Sequence, residues 1–222
     1  MLTFLSDWTI LAHALGVLIT VSVGIYRWFH LTLPLKILLV YICALPFWDV
    51  FNNLFLEGES NDTFALNLLT LLEMTILSVA YSLQLPEGTL KKITWILGGG
   101  AVFFGITNLL FLQGSNTGNT ITQYLAIALS VYLALAYIHS YEFEDTSYRV
   151  LFTPWFILSI AIIAVNLSEL AHLWFLNNRD LIGDQQVGTI IRSFKVVQLI
   201  FLSFCMTAYW RQQLTKNQVV HG

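Results

Sequence analysis

Residues 154–177 read PWFILSIAIIAVNLSELAHLWFLN. A helix needs about 20 mainly apolar residues to cross the hydrocarbon core of a bilayer, and this stretch supplies them with a single carboxylate. Transmembrane β-strands are only about 9–11 residues long and alternate between apolar and polar residues, a pattern that is absent here. Pro154 stands where a helix can begin, because the missing N–H costs little in the first turn. The stretch therefore predicts a transmembrane helix.

Six further apolar windows surround this one along the chain. Together the predicted spans are about 7–29, 31–55, 64–85, 93–113, 121–143, 154–177 and 188–210. The segments between them carry Gly, Pro, Asn, Asp and Ser, which are typical of turns. The sequence therefore predicts an all-α, seven-transmembrane-helix bundle that forms a single domain over residues 1–222, with no soluble domain.

The composition agrees with a membrane protein. Hydrophobic residues make up 57% of the chain and charged residues only 10%, against about 25% charged residues in soluble domains; the mean hydropathy is +0.72. A net charge of −3 and the lack of a basic run exclude nucleic acid as a main partner. Cys43 and Cys205 lie inside apolar windows and offer neither a disulfide framework nor a metal-ligand spacing.

The distribution of Lys and Arg predicts the orientation. Cytoplasmic loops are enriched in these residues. An outside N-terminus and a cytoplasmic C-terminus place Arg179 outside and the following residues on the cytoplasmic side: Arg27, Lys36, Lys91, Lys92, Arg149, Arg211 and Lys216. The first helix is expected to remain uncleaved, because no basic segment precedes it. We expect a multi-pass protein of the bacterial cytoplasmic (inner) membrane.

Ionisable residues inside the windows converge on one depth. Counted at 1.5 Å per residue, they lie roughly 6–14 Å below the outer edge of the apolar zone. They are His13, Asp49, Glu73, Glu169, His172, Arg192 and Lys195. Several recur at helical spacing, such as Asn166, Glu169 and His172, so they share one helix face. Because a charge facing lipid is costly, these faces should point to the bundle interior or to a water-filled cavity.

The preferred interpretation is a pocket in the outer half for a small, anionic ligand. Arg192 and Lys195 would bind the anionic group, and carboxylates and amides would complete the network. The expected ligand-binding residues are Asp49, Asn53, Glu73, Asn166, Glu169, Arg192, Lys195 and Gln198. The protein would then be a sensor or binding protein, with no cofactor and no enzymatic activity of its own, that signals through a separate membrane partner.

Three alternatives stay open for the same layer. A metal-dependent, hydrolase-like membrane enzyme would use a divalent metal ion held by His13, Asp49, Glu73, Glu169 and His172, since Glu-x-x-His places two ligands on one helix face. A transporter of protons or small solutes would use chains of Asp, Glu and His. A purely structural layer would pair carboxylates with Arg192 or Lys195 to define helix register.

Prolines and glycines predict local features of three helices. Pro34 is expected at the start of helix 2, and Pro46 is expected to kink it. Gly98, Gly99, Gly100 and Gly105 are expected to give helix 4 a smooth face for close helix packing.

Three short motifs carry a family resemblance. They are Asn67-Leu-Leu-Thr-Leu-Leu-Glu73, Asn108-Leu-Leu-Phe-Leu-Gln113 and Pro154-Trp155-Phe156. With them, the chain from Lys36 to Arg211 resembles a group of bacterial seven-helix membrane proteins whose function is not known. The group tends to carry a glutamate where this sequence has Asp49. The resemblance implies a sensory role with a partner such as a sensor kinase.

Overall fold

A computed structural model describes residues 8–43, 59–112, 120–140, 153–177 and 184–219. Within these ranges the chain is helical and contains no β-strand. It forms seven α-helices: α1 Trp8–Tyr26, α2 Leu33–Cys43, α3 Glu59–Gln84, α4 Thr89–Thr107, α5 Thr120–Ser140, α6 Pro154–Asn177 and α7 Asp184–Val219. Each predicted window overlaps one of them, which confirms the all-α class. Residues 44–58, which hold Pro46 and the rest of the second window, lie outside the described residues.

Three helical segments are long and apolar enough to cross a membrane: Thr89–Leu112, Thr120–Ser140 and Pro154–Phe175. In the first, only 22% of the most apolar window is buried inside the protein. Large side chains such as Ile96, Phe103 and Phe111 are more than 70% exposed. Exposing apolar surface to water costs roughly 25 cal/mol per Å². This surface suits lipid, and the chain is a membrane protein.

The start of α6 shows why the helix begins at Pro154. The Thr153 hydroxyl oxygen accepts a hydrogen bond from the backbone N–H of Phe156 at 3.3 Å. This bond satisfies an N–H group that has no partner inside the helix, which is the role of an N-cap residue. Pro154 is the first helical residue, as predicted, and Pro34 likewise lies in the first turn of α2.

The chain divides into two compact units. Residues 1–31 and 145–222 form one, here called the terminal unit; residues 32–144 form the other, here called the central unit. The terminal unit contains α1, α6 and α7, and the central unit contains α2 to α5.

In the terminal unit, α1 and α7 run parallel. The single hydroxyl hydrogen of Thr20 is shared between the carbonyl of Gly16 at 2.8 Å and the carbonyl of Leu202 at 3.2 Å. Further along both helices, the guanidinium carbon of Arg27 lies 4.1 Å from the ring centroid of Trp210. Because both contacts move toward the C-terminal end of each helix, α1 and α7 are parallel. The α6 helix packs beside α7 after a short connection, so these two are antiparallel.

In the central unit, α3 and α4 are antiparallel, and glycines set their close approach. A Cβ atom added to Gly98 would lie 2.6 Å from the Cβ of Ser78, and one added to Gly105 would lie 2.5 Å from a methyl carbon of Leu71. The two contacts are separated by seven residues, or two turns, on each helix. The added Cβ of Gly105 would also lie 3.1 Å from Thr122, so α5 meets the same point.

The predicted smooth face is confirmed at Gly98 and Gly105 but not at their neighbours. A Cβ added at Gly99 or Gly100 would meet nothing within 4 Å. Helical periodicity explains the difference, since residues 98 and 105 are two turns apart on the side that faces α3.

We expect Gly98→Val to destabilise the protein by about 1–3 kcal/mol, because the new side chain must displace Ser78 or separate α3 from α4. Thermal unfolding of the purified chain in detergent measures the effect. The matched control is Gly99→Val, where space is open. Equal melting temperatures for the two variants would contradict the packing of α3 on α4.

Candidate functional site

A partly open cavity of about 270 Å³ lies between α6 and α7 of the terminal unit, and Ala171, Thr189 and Ser193 at its wall are exposed. Liquid water occupies about 30 Å³ per molecule, so the cavity has room for a small organic molecule. The residues that line it are Ser168, Ala171, His172, Phe175, Thr189, Ser193, Phe194 and Val197. We call this the α6–α7 cavity.

Helical periodicity brings the lining residues together. On α6 they occupy positions 168, 171, 172 and 175, and most of those on α7 recur every four residues. Residues three or four apart lie on the same face of a helix. Each helix therefore contributes one continuous stripe, and the two stripes face each other across the cavity.

Two of the hydroxyl groups in the lining bond to their own helices. Ser168 donates to the carbonyl of Val165 at 2.7 Å, and Ser193 donates to the carbonyl of Thr189 at 3.0 Å. Their hydrogens are therefore engaged, while their oxygens keep lone pairs that can accept.

Aromatic rings form another part of the cavity wall. The rings of His172 and Phe194 are stacked, with centroids 5.0 Å apart and planes 8° from parallel. Phe175 lies one turn further along α6. Mainly apolar walls with a few polar groups are typical of small-molecule sites. This lining suits a flat, largely apolar molecule that carries one polar group.

Three of the predicted ligand-binding residues lie near the cavity in sequence but do not line it. Asn166 is buried, and its side-chain amide donates to the carbonyl of Ile162 at 2.9 Å, within its own helix. Glu169 is half-buried on α6. Gln198 is half-buried on α7, and its side-chain oxygen is buried without a hydrogen-bond partner among the described residues.

Four further predicted ligand-binding residues are described by the structure only in part or not at all. Arg192 and Lys195 lie within α7, but their side chains fall outside the described part of the structure. Successive residues of a helix are about 100° apart, so positions 192 and 195 are off the stripe formed by residues 189, 193 and 197. Asp49 and Asn53 lie outside the described residues. Binding of an anion by Arg192 and Lys195 stays a prediction.

Glu73 belongs to the central unit. It is half-buried on α3, and its carboxylate accepts a hydrogen bond from the hydroxyl of Tyr41 on α2. The Tyr41 side chain is buried. A hydrogen bond in a weakly polar environment is stronger than one in water, so this contact joins α2 to α3.

The central unit also contains a buried polar layer that the predicted site does not include. The amide of Asn108 donates to the hydroxyl of Thr122 at 3.0 Å. Asn67 lies one turn before Leu71, and the antiparallel register of α3 and α4 places it level with Asn108. The side chains of Asn67, Asn108 and Thr122 are no more than 1% exposed. We call these three residues the amide layer.

Two features distinguish the amide layer. Asn108 begins a π-helical turn, Asn108–Leu112, at the end of α4, and such turns are frequent at functional sites. Both polar atoms of the Asn67 amide are buried without a hydrogen-bond partner among the described residues. Leaving a buried polar group unsatisfied costs about 1–3 kcal/mol per group. Burial of Asn67 therefore carries a cost in stability.

The predicted metal ligands lie in different parts of the chain. His13 is half-buried on α1, His172 lines the α6–α7 cavity, and Glu73 belongs to the central unit. Within the described ranges, no three His, Cys, Asp or Glu residues form a group that could hold a metal ion. The metal-dependent alternative stays a prediction.

Sequence reasoning missed most of the cavity lining. Ser168, Thr189, Ser193 and Phe194 were not among the predicted site residues, and His172 was expected only as a metal ligand. Thr189 and Ser193 are hydroxyl residues at a spacing of four, which is a weak signal of a shared face. Phe194 carries no signal, because an aromatic residue in an apolar window is more often lipid-facing or packed.

Comparison with known proteins finds no matching family model, no matching curated protein and no matching solved structure. Function must therefore be argued from the chemistry of the site.

We expect Asn108 and Thr122 to be energetically coupled, because their side chains form a buried hydrogen bond. A double-mutant cycle with Asn108→Leu and Thr122→Val measures this coupling through the free energy of unfolding in detergent. Hydrogen bonds between membrane helices are worth about 0.6 kcal/mol on average and up to about 1.7 kcal/mol. Strictly additive effects of the two substitutions would contradict the bond.

Proposed function

We propose that this protein is a seven-span membrane protein that binds a small molecule in the α6–α7 cavity, and that it is a sensor or binding protein. The observation that carries the proposal is a cavity of about 270 Å³ with aromatic, aliphatic and hydroxyl groups on its walls. Sites of this composition favour binding through shape and a few polar contacts.

The ligand that fits these walls is a small, flat, mainly apolar molecule with one polar group. The stacked rings of His172 and Phe194 offer a flat aromatic surface. The Nδ1 atom of His172 is buried, so a polar contact between the imidazole and a ligand would be made through Nε2. A phenolic or aromatic carboxylate compound combines these features, and a carboxylate would match the anionic ligand that the sequence predicts.

Helix directions support an outer location for the cavity. In the terminal unit α1 and α7 are parallel, and α6 is antiparallel to α7. A chain with seven spans requires this arrangement, because each span crosses the membrane in the direction opposite to the previous one. Arg27 and Arg211 therefore lie toward one end of this unit, and basic residues favour the cytoplasmic side. The cavity is lined by residues 189–197 of α7, roughly 20 Å or more from Arg211 along the helix. In a cytoplasmic (inner) membrane this end would face outward.

A binding protein embedded in the membrane must pass its signal to another molecule. Here α6 and α7 carry the cavity, and α7 continues to Val219, well beyond the residues that line it. A rigid helix can transmit a change in packing along its length. We propose that occupancy of the cavity changes the packing of α6 on α7 and is read by a membrane partner such as a sensor kinase.

We expect Ala171→Phe to abolish binding of small aromatic probes, because the larger side chain fills the cavity. Phenol and benzoate serve as probes, and ligand-observed NMR on the purified full-length chain in detergent measures their binding. The matched control is Leu170→Phe, at a neighbouring position on the same helix that does not line the cavity. The control should bind both probes as the unsubstituted protein does.

A further variant tests the polar contact. His172→Phe keeps an aromatic ring beside Phe194 but removes both ring nitrogens, so it should weaken binding of benzoate more than binding of toluene, which has no polar group. The proposed function is contradicted if no probe binds the unsubstituted protein, or if Ala171→Phe binds as well as Leu170→Phe.

A further inference from the structure

Arg27 lies just after the end of α1 and rests on aromatic rings. Its guanidinium carbon is 4.1 Å from the ring centroid of Trp210 and 5.7 Å from that of Tyr26. A cation over the face of an aromatic ring is attracted by the electron density of that face. The guanidinium is therefore held in a defined orientation above α7.

The hydrogen-bonding groups of this guanidinium have no protein partner in the part of the chain that the structure describes. Among the described residues, no carboxylate forms an ion pair with Arg27, and its Nε atom is buried without a hydrogen-bond partner. A buried N–H group without a partner costs free energy. Stacking uses only the flat face of the guanidinium, and Nε is enclosed by protein, so the two terminal Nη groups are the donors that a ligand could reach.

The surroundings of Arg27 have the character of a membrane interface. Tyr26 is 76% exposed, Phe29 is 88% exposed and Trp210 is 52% exposed. Trp and Tyr are enriched at the level of the lipid headgroups, where one end of the ring contacts hydrocarbon and the other contacts water. Ile25, which is 60% exposed, adds apolar surface of the kind that acyl chains cover.

We propose that Arg27 forms a binding site for the phosphate group of an anionic phospholipid, with Trp210 as the positioning residue. The two terminal Nη groups of the guanidinium match phosphate oxygens, which arginine can bind through two parallel N–H donors. The exposed rings beside it would contact the glycerol and upper acyl region of the same lipid. A soluble phosphate compound would not need this apolar surface, so the observations favour a lipid.

This site is separate from the α6–α7 cavity. Along α7, Trp210 lies 13 residues beyond Val197, which corresponds to roughly 20 Å. If the protein has the predicted orientation, Arg27 faces the cytoplasmic leaflet, where anionic lipids attract basic residues. The lipid would bind across α1 and α7 and stabilise their parallel packing.

Native mass spectrometry of the purified full-length chain, titrated with phosphatidylglycerol or phosphatidylcholine, tests the proposal. We expect phosphatidylglycerol to bind more tightly, and Arg27→Gln to weaken it about fivefold, since one basic residue near an anionic lipid surface contributes on the order of 1 kcal/mol. The matched control is Lys92→Gln, which removes the same charge at an exposed position outside the terminal unit.

Two further variants separate positioning from charge. Arg27→Lys keeps the charge but loses the two-donor geometry, and Trp210→Leu loses the ring that orients the guanidinium. Both should lose part of the preference for phosphatidylglycerol over phosphatidylcholine. Thermal unfolding without lipid identifies any variant that is misfolded, and Arg27→Lys keeps the test informative if Arg27→Gln fails to fold.

Three results would overturn the proposal. One is equal binding of the two lipids by the unsubstituted protein. A second is an equal loss of phosphatidylglycerol binding in Lys92→Gln and Arg27→Gln. A third is displacement of phosphatidylglycerol by millimolar inorganic phosphate, which would identify a soluble phosphate as the ligand.

Discussion

The structure depends on a constraint set by the lipid that surrounds it. In hydrocarbon, each backbone N–H and C=O must be satisfied within the protein, so helices are favoured. Lipid is as apolar as leucine, so helices gain little by burying leucine against one another; they associate through close packing and polar contacts. The exposed surface of Thr89–Leu112 follows from this, since only 22% of its most apolar window is buried against 56% for Thr120–Ser140.

Close packing and polar contacts are what each unit shows. In the central unit, Gly98 and Gly105 bring α4 against α3, and hydrogen bonds join Asn108 to Thr122 and Tyr41 to Glu73. In the terminal unit, Thr20 bonds to a carbonyl of α7. Where α6 and α7 instead carry aromatic and hydroxyl residues at matching positions, packing is incomplete and a cavity remains. We propose that the ligand occupies this space, which the helices themselves do not fill.

Helix positions could be predicted from the sequence more fully than the site. The window 154–177 coincides with α6 because Pro154 and Thr153 mark its start. The last window, 188–210, is shorter than α7, Asp184–Val219, because hydropathy detects the membrane-crossing part of a helix and not its polar extensions. The site was harder to predict, because a cavity depends on how the lining residues of α6 and those of α7 pack against each other. Helical spacing predicted that His172 shares a helix face with Glu169. It could not predict that the ring of Phe194 stacks on the ring of His172.

The most direct test of the central claim is thiol labelling at residue 193, which lines the α6–α7 cavity. Ser193→Cys would be made in a background where Cys43 and Cys205 are replaced by alanine, and intact cells would be treated with a membrane-impermeant maleimide. We expect labelling from outside that benzoate slows, and no labelling of Lys92→Cys in the same background. No labelling of Ser193→Cys, or labelling that benzoate leaves unchanged, would contradict an outward-facing binding cavity.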